Sequence, residues 1–157
     1  MLLTAIDPGP SESAYVCWDT ERHDFWTPRQ GFKMGLVSTD EMIFRLKRDA
    51  QSDLIAIEMV QSYGMTVGRS TFETALNVGR FMQSVQGRNA PYLVKLFGRP
   101  TIKGQIGGKT DGEIRASLRM RYGEAKKGEK LEGVKKDIWS ALALAVAIDE
   151  RPTLKEW

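Results

Sequence analysis

Leu2-Leu3-Thr4-Ala5-Ile6-Asp7-Pro8-Gly9-Pro10 is the stretch that decides the fold of this chain. Its first five residues carry no charge and run into an acid followed by a turn-forming Pro-Gly-Pro. That is the pattern of a strand buried on both faces and ending on a carboxylate. Leu54-Ile55-Ala56-Ile57 has the same form and ends on Glu58, and a third acid, Asp137, opens the apolar helical run from Ile138 to Ile148. Carboxylates at the ends of neighbouring strands and at a helix start can converge on one point. Such a cluster is unstable unless something positive, usually a metal ion, neutralises it.

Outward from these anchors, the spacing predicts strands over 13–18, with Ala14, Val16 and Trp18 alternating against their neighbours, and over 24–27; with 2–7 they form an antiparallel meander. Ser38-Thr39-Asp40-Glu41 opens a helix carrying Met42, Ile43, Leu46 and Ala50 at helical spacing. After the strand 54–58, the stretch 69–86 sets Phe72, Ala75, Leu76, Gly79, Met82 and Val85 on one helical stripe, a core face and a candidate dimer contact. Tyr92 to Leu96 reads as a fifth strand. Thr110 and Glu113 form a capping-box pattern, followed by an apolar pair, Ile114 and Leu118, and a basic pair, Arg115 and Arg119. Residues 123–136 read as a flexible, positively charged loop before the last helix, 138–149.

The 157 residues are 41% hydrophobic and 27% charged, ordinary values for a globular protein and enough for a single domain, 1–157, with a sizeable core. No run approaches the roughly 20 apolar residues of a membrane span, and the N-terminus lacks the pattern of a signal peptide. Cys17, the only cysteine, excludes an internal disulfide and fits a reducing, cytoplasmic setting. His23, the only histidine, reads as a surface residue; zinc sites and Cys-His catalysis are therefore set aside. The net charge of +3 is modest but unevenly spread: residues 95–136 carry 12 basic and five acidic side chains, while the segments on either side are slightly acidic. A basic block beside a candidate acidic site suits a polyanion that is held while a metal works on it; a solvated face is the plainer reading.

Four blocks, taken together, resemble the RuvC family of Holliday junction resolvases, and especially its phage-borne relatives. They are Ala5-Ile6-Asp7-Pro8-Gly9, Ile55-Ala56-Ile57-Glu58, Gly107-Gly108-Lys109 leading into the Asp111 helix, and Asp137-Ile138-Trp139-Ser140-Ala141-Leu142-Ala143. Their order and spacing match over most of the chain. The resemblance implies an α/β, ribonuclease H-like fold with a mixed five-stranded sheet flanked by helices. It also implies a homodimer that binds four-way DNA junctions and cuts symmetric strands with magnesium, serving recombination and repair, in the host cell cytoplasm if phage-encoded. Asp7, Glu58 and Asp137 fall on metal-binding positions. Lys109 resembles the family's basic residue near the active site, placed to hold the scissile phosphate or stabilise transition-state charge. Residues 59–65 correspond to the segment presented to the junction centre, where Tyr63 could stack on an unpaired base. One position departs from the family pattern. Ser140 stands where the family usually has a second acid, one helical turn after the first. Either three carboxylates suffice, or Asp111 or Asp149 substitutes, or metal binds more weakly. Asp149 lies about 18 Å along the helix from Asp137 and is a poor substitute, and Asp111 reads more naturally as a helix cap.

In-line hydrolysis of a phosphodiester needs an activated water and a stabilised leaving oxygen, which two magnesium ions about 3.5–4 Å apart supply; manganese is an acceptable replacement. Asp7 would bridge the ions, with Glu58 and Asp137 holding one each. The structural alternatives are a turn residue for Asp7 and a helix N-cap for Asp137, whereas an acid ending an apolar strand, as Glu58 does, has little structural use. Lys103, Lys109, Arg115, Arg119, Lys126, Lys127, Lys130, Lys135 and Lys136 are candidate contacts to the DNA backbone. Lys103 also stands where a phosphate-binding P-loop would need glycine, so Gly104–Thr110 is not one. The resulting expectation is a metal-dependent, structure-selective endonuclease acting on Holliday junctions and on other branched DNA. The rivals are a nuclease for RNA–DNA hybrids, a junction-binding protein that does not cut, and, more remotely, an ATP-binding relative of the actin-like group.

Overall fold

The computed structural model describes residues 1–29, 31–49, 51–62, 64, 66–86, 93–151 and 153. Its centre is β1 (Leu2–Asp7), flanked on one side by β2 (Glu12–Asp19), antiparallel, and on the other by β5 (Leu54–Met59), parallel. β6 (Leu93–Gly98) extends the parallel side, and β3 (Asp24–Phe25) and β4 (Met34–Ser38) share the outer edge of β2. The sheet therefore runs β3-β2-β1-β5-β6, with β4 as its sixth strand. Five helices cover it: α1 (Thr39–Arg48), α2 (Arg69–Val85), α3 (Arg99–Ile106), α4 (Asp111–Tyr122) and α5 (Ile138–Glu150).

The twofold alternation of the strands sorts the core into two layers. Leu3 and Ala5 of β1 and Leu54 and Ala56 of β5 face α5, together with Ala14 and Val16 of β2. Ile6, Ile55 and Ile57 face the opposite way, against Met42 and Leu46 of α1 and Val78 and Phe81 of α2. Ala5, Ala14 and Ala56 leave room on the α5 side of the sheet between larger residues, and α5 answers with Ala141, Ala143, Ala145 and Ala147, all fully buried. A helix apolar on nearly every side has to be enclosed, and α5 is buried from Ile138 to Asp149 except at the half-buried Ser140. At its far end, Asp149 accepts hydrogen bonds from Trp18 Nε1 at 2.7 Å and His23 Nδ1 at 2.9 Å, which compensates a carboxylate only 2% exposed.

Several expectations change against these observations. The sheet has six strands, not five: β4 pairs with β2 from Met34 to Ser38. The fifth expected strand is displaced to Leu93–Gly98, and Tyr92 lies outside the described residues, as does Ala50. α3 occupies a stretch to which no helix was assigned, starting with Arg99-Pro100 and ending at Gly107, whose φ of +89° is the left-handed conformation glycine tolerates. α2 is rotated relative to the expected stripe. It buries Thr74, Asn77, Val78, Phe81 and Val85, and leaves Phe72 and Leu76 65% and 66% exposed. Residues 123–136 form successive turns pinned by Leu131 and Val134 in the core. None of the helices among the described residues is long and apolar enough to cross a membrane.

Trp18→Phe removes the indole donor from Asp149 and shrinks the side chain wedged between Phe25 and Tyr122. A loss of about 2–4 kcal/mol is expected in urea denaturation.

Candidate active site

Asp7 ends β1 and Glu58 lies near the end of β5. The parallel register Ile6↔Ile57 makes them neighbours at one edge of the sheet. Alternation puts both on the face that α5 covers, Asp7 after Leu3 and Ala5, Glu58 after Leu54 and Ala56. Asp137 immediately precedes α5, whose N-terminus reaches the same edge. It holds the N-cap position of that helix, but its side chain makes no capping hydrogen bond. Lys136, just before it, holds φ at 47°, a conformation uncommon for a side-chain-bearing residue, where the chain turns into the helix.

The three acids line one cleft of about 380 Å³ with Pro8, Gly9, Pro10, Val60, Ser70, Thr71 and Thr74. The turn after Asp7 is tightly set. A side chain at Gly9 would come within 2.2 Å of the Glu12 carbonyl oxygen. From the other side Asn77 of α2, 4% exposed, donates its amide to the carbonyls of Gly9 and Pro10, both at 3.0 Å. Asn77 escaped the sequence reading because a polar residue on an amphipathic helix normally faces water.

Burial pushes the Asp7 carboxyl up to about 7; the charges of Glu58 and Asp137 push the same way, while Arg99 and a hydrogen bond from Ser140 pull back. Glu58 is also raised, by burial, against the opposing pull of Arg99. Ser140 thus stands near Asp7 and lowers its carboxyl slightly, where an acid would have added another charge. The donor set is all oxygen, three carboxylates and a hydroxyl, which suits a hard divalent cation and not zinc. Among the described residues no three acids are already closed around one point.

A cation, Arg99, the first residue of α3, contacts one of these acids, Glu58. Its Nη1 donates to Glu58 Oε2 at 2.9 Å and its Nη2 to Asp111 Oδ1 at 2.9 Å. Asp111 also meets Lys103 Nζ at 3.1 Å. The capping box of α4 is formed by Thr110 and Glu113, so Asp111 is the helix's first residue and an ion-pair partner, not its cap. Arg99 was missed because the strand before it was ended too early; with β6 paired so that Phe97 lies beside Glu58, a residue two positions on reaches that carboxylate.

The candidate basic residues divide into two groups. Lys109 does not line the cleft; its backbone N–H donates to Glu113 and its carbonyl accepts from Lys103. Lys130 points inward, donating to the His23 carbonyl and lying over the rings of Trp18 and Tyr122. Arg119 packs over Trp139 at 5.3 Å while staying exposed. Arg115, Lys126, Lys127, Lys135 and Lys136 are exposed, the last two immediately before Asp137. Asp149 sits at the opposite end of α5 and takes no part in the cleft, and Tyr63 lies outside the described residues.

No family model and no curated protein matches the chain. Among solved structures it is similar to RuvC of Thermus thermophilus, at 14% identity, a TM-score of 0.69 and full coverage of both chains. It is likewise similar to T. thermophilus RuvC in complex with Holliday junction substrate, at 16% identity and a TM-score of 0.67, over 100% of this chain and 99% of that one. The likeness is one of fold: the chain has the ribonuclease H-like architecture of RuvC.

Asp7→Asn removes a buried charge that its surroundings disfavour, so the metal-free protein gains stability. In EDTA at pH 8 the variant is expected to gain about 1–2 kcal/mol, or roughly 2–8 °C in Tm by calorimetry.

Proposed function

We propose that this chain is a metal-dependent endonuclease for branched DNA, working as a single nuclease domain and acting most directly on four-way junctions. The observation that carries the reading is the convergence of Asp7, Glu58 and Asp137 on one cleft, with Asp7 raised by burial and by the other two acids. The RuvC-like fold supports it by bringing the acids of β1 and β5 and the acid before α5 to the same edge. The junction in the similar RuvC complex supports the choice of substrate.

Asp7, Glu58 and Asp137 would hold magnesium, or manganese in its place. The metal supplies an activated water and charge stabilisation for the leaving 3′ oxygen. Ser140 would offer a hydroxyl beside Asp7, and Asn77 fixes the turn that follows it. Arg115, Lys126, Lys127, Lys135 and Lys136 would hold the phosphate backbone, positioning the strand without reading its sequence. Two symmetric cuts need two sites, so the active species is a homodimer; the outward apolar pair Phe72 and Leu76 on α2 supports such an association.

The test is cleavage of a synthetic four-way junction beside linear duplex, a flap and an RNA–DNA hybrid. Paired symmetric nicks on the junction in magnesium, lost in EDTA and in Asp7→Asn, are expected. Preferred cutting of the hybrid would move the activity to a ribonuclease, and tight junction binding without cutting in either metal would make the protein a binder. Arg115→Ala combined with Lys127→Ala is expected to weaken junction binding whatever its sequence, and to lower the slope of log K against log salt by about two, measured by fluorescence anisotropy.

A further inference from the structure

One wall of the acidic cleft, Glu58, is already held from behind by a cation. Arg99 uses one terminal nitrogen on Glu58 and the other on Asp111, each at 2.9 Å, with its side chain only 18% exposed and that of Glu58 only 13%. This is not the two-pronged clasp of one carboxylate that makes an isolated arginine–carboxylate pair strong. The guanidinium is shared, and Lys103 at 3.1 Å from Asp111 completes a chain of alternating charge from the cleft to the start of α4. A guanidinium stays protonated in a protein, so Arg99 is a full positive charge beside Glu58.

A divalent ion in the cleft would require the same carboxylate. We propose that Arg99 is a built-in competitor of the metal for Glu58, and that Asp111, by sharing the guanidinium, sets the strength of that competition. The inference rests on the metal site of the preceding section. Three carboxylates and one guanidinium leave a charge of −2, which a single divalent ion balances; two ions would leave the half-buried cleft at +2. Ser140 supplies no further charge to change that balance. A second ion is therefore favoured only when a phosphate of the DNA brings negative charge with it. Metal loading and substrate binding become coupled, and the protein without DNA holds metal weakly.

The two ends of the bridge predict effects of opposite sign. Arg99→Gln removes the competitor and is expected to tighten Mn²⁺ binding about tenfold in the absence of DNA, as expected for removing one nearby positive charge. The same change breaks a buried pair and lowers Tm in EDTA. Asp111→Asn leaves the guanidinium to Glu58 alone and is expected to weaken Mn²⁺ binding about threefold. Free Mn²⁺ is measured by electron paramagnetic resonance on the intact chain, with Asp7→Asn as the reference for site occupancy. If Arg99→Gln and Asp111→Asn both weaken binding, or neither moves it, Arg99 is a structural tie between β5, α3 and α4 and the competition is overturned. A distinct failure, Mn²⁺ binding to the unaltered chain that Asp7→Asn leaves unchanged, would remove the metal site itself and the inference with it.

Discussion

The enclosure of α5 is the constraint from which the rest of the structure follows. A helix apolar around nearly its whole circumference can lie against a sheet only where the sheet gives up side-chain volume, and Ala5, Ala14 and Ala56 do so. With four alanines of its own, α5 settles close to β1 and β2. Packing along its length and the Asp149 hydrogen bonds at its far end then hold its depth. That depth brings Asp137 and Ser140 to the end of β1, so the geometry of the cleft depends on small residues in the core. Enlarging Ala5 or Ala56 would lift the helix and displace the acids without touching any of them.

What the sequence made legible followed from periodicity. The uncharged runs ending on Asp7 and Glu58 read correctly as adjacent strands, and the capping box at Thr110 formed as its spacing required. The failures have physical causes as well. β4 is a five-residue edge strand, half-exposed over most of its length and containing Gly35, with too little alternation to be seen. α3 is short, opens with Arg-Pro and contains Gly104, which resembles a loop until its place after β6 is known. The rotation of α2 misled because its inward face carries Thr74, which satisfies itself on the Ser70 carbonyl, and Asn77, which serves the Asp7 turn. Leu131 and Val134 could not be recognised as anchors among five lysines and three glycines, since they become core only once α5 is in place. In the site, the three acids were readable as strand and helix ends, whereas the Arg99 bridge depended on a register that no local pattern encodes.

Energetically the cleft works against the fold that contains it. Burial raises Asp7 and Glu58, and a single shared guanidinium offsets only part of the repulsion. The opposite end of α5 shows how the same chain handles a carboxylate with a structural purpose: Asp149 is buried more deeply, yet receives an indole and an imidazole donor. One helix thus joins a satisfied acid at its C-terminal end to an unsatisfied cluster at its N-terminal end. The contrast separates a buried acid whose partners are supplied from a cluster whose charges are only partly compensated.

α2 has two faces with different duties. Its inner face grips the backbone of Gly9 and Pro10 through Asn77, and its outer face presents Phe72 and Leu76. A helix of 17 residues transmits displacement along and across its axis much as a stiff rod does. The turn that follows Asp7 is thus tied to the same helix that carries the exposed pair, so the placement of that acid and the shape of the outer surface share one element.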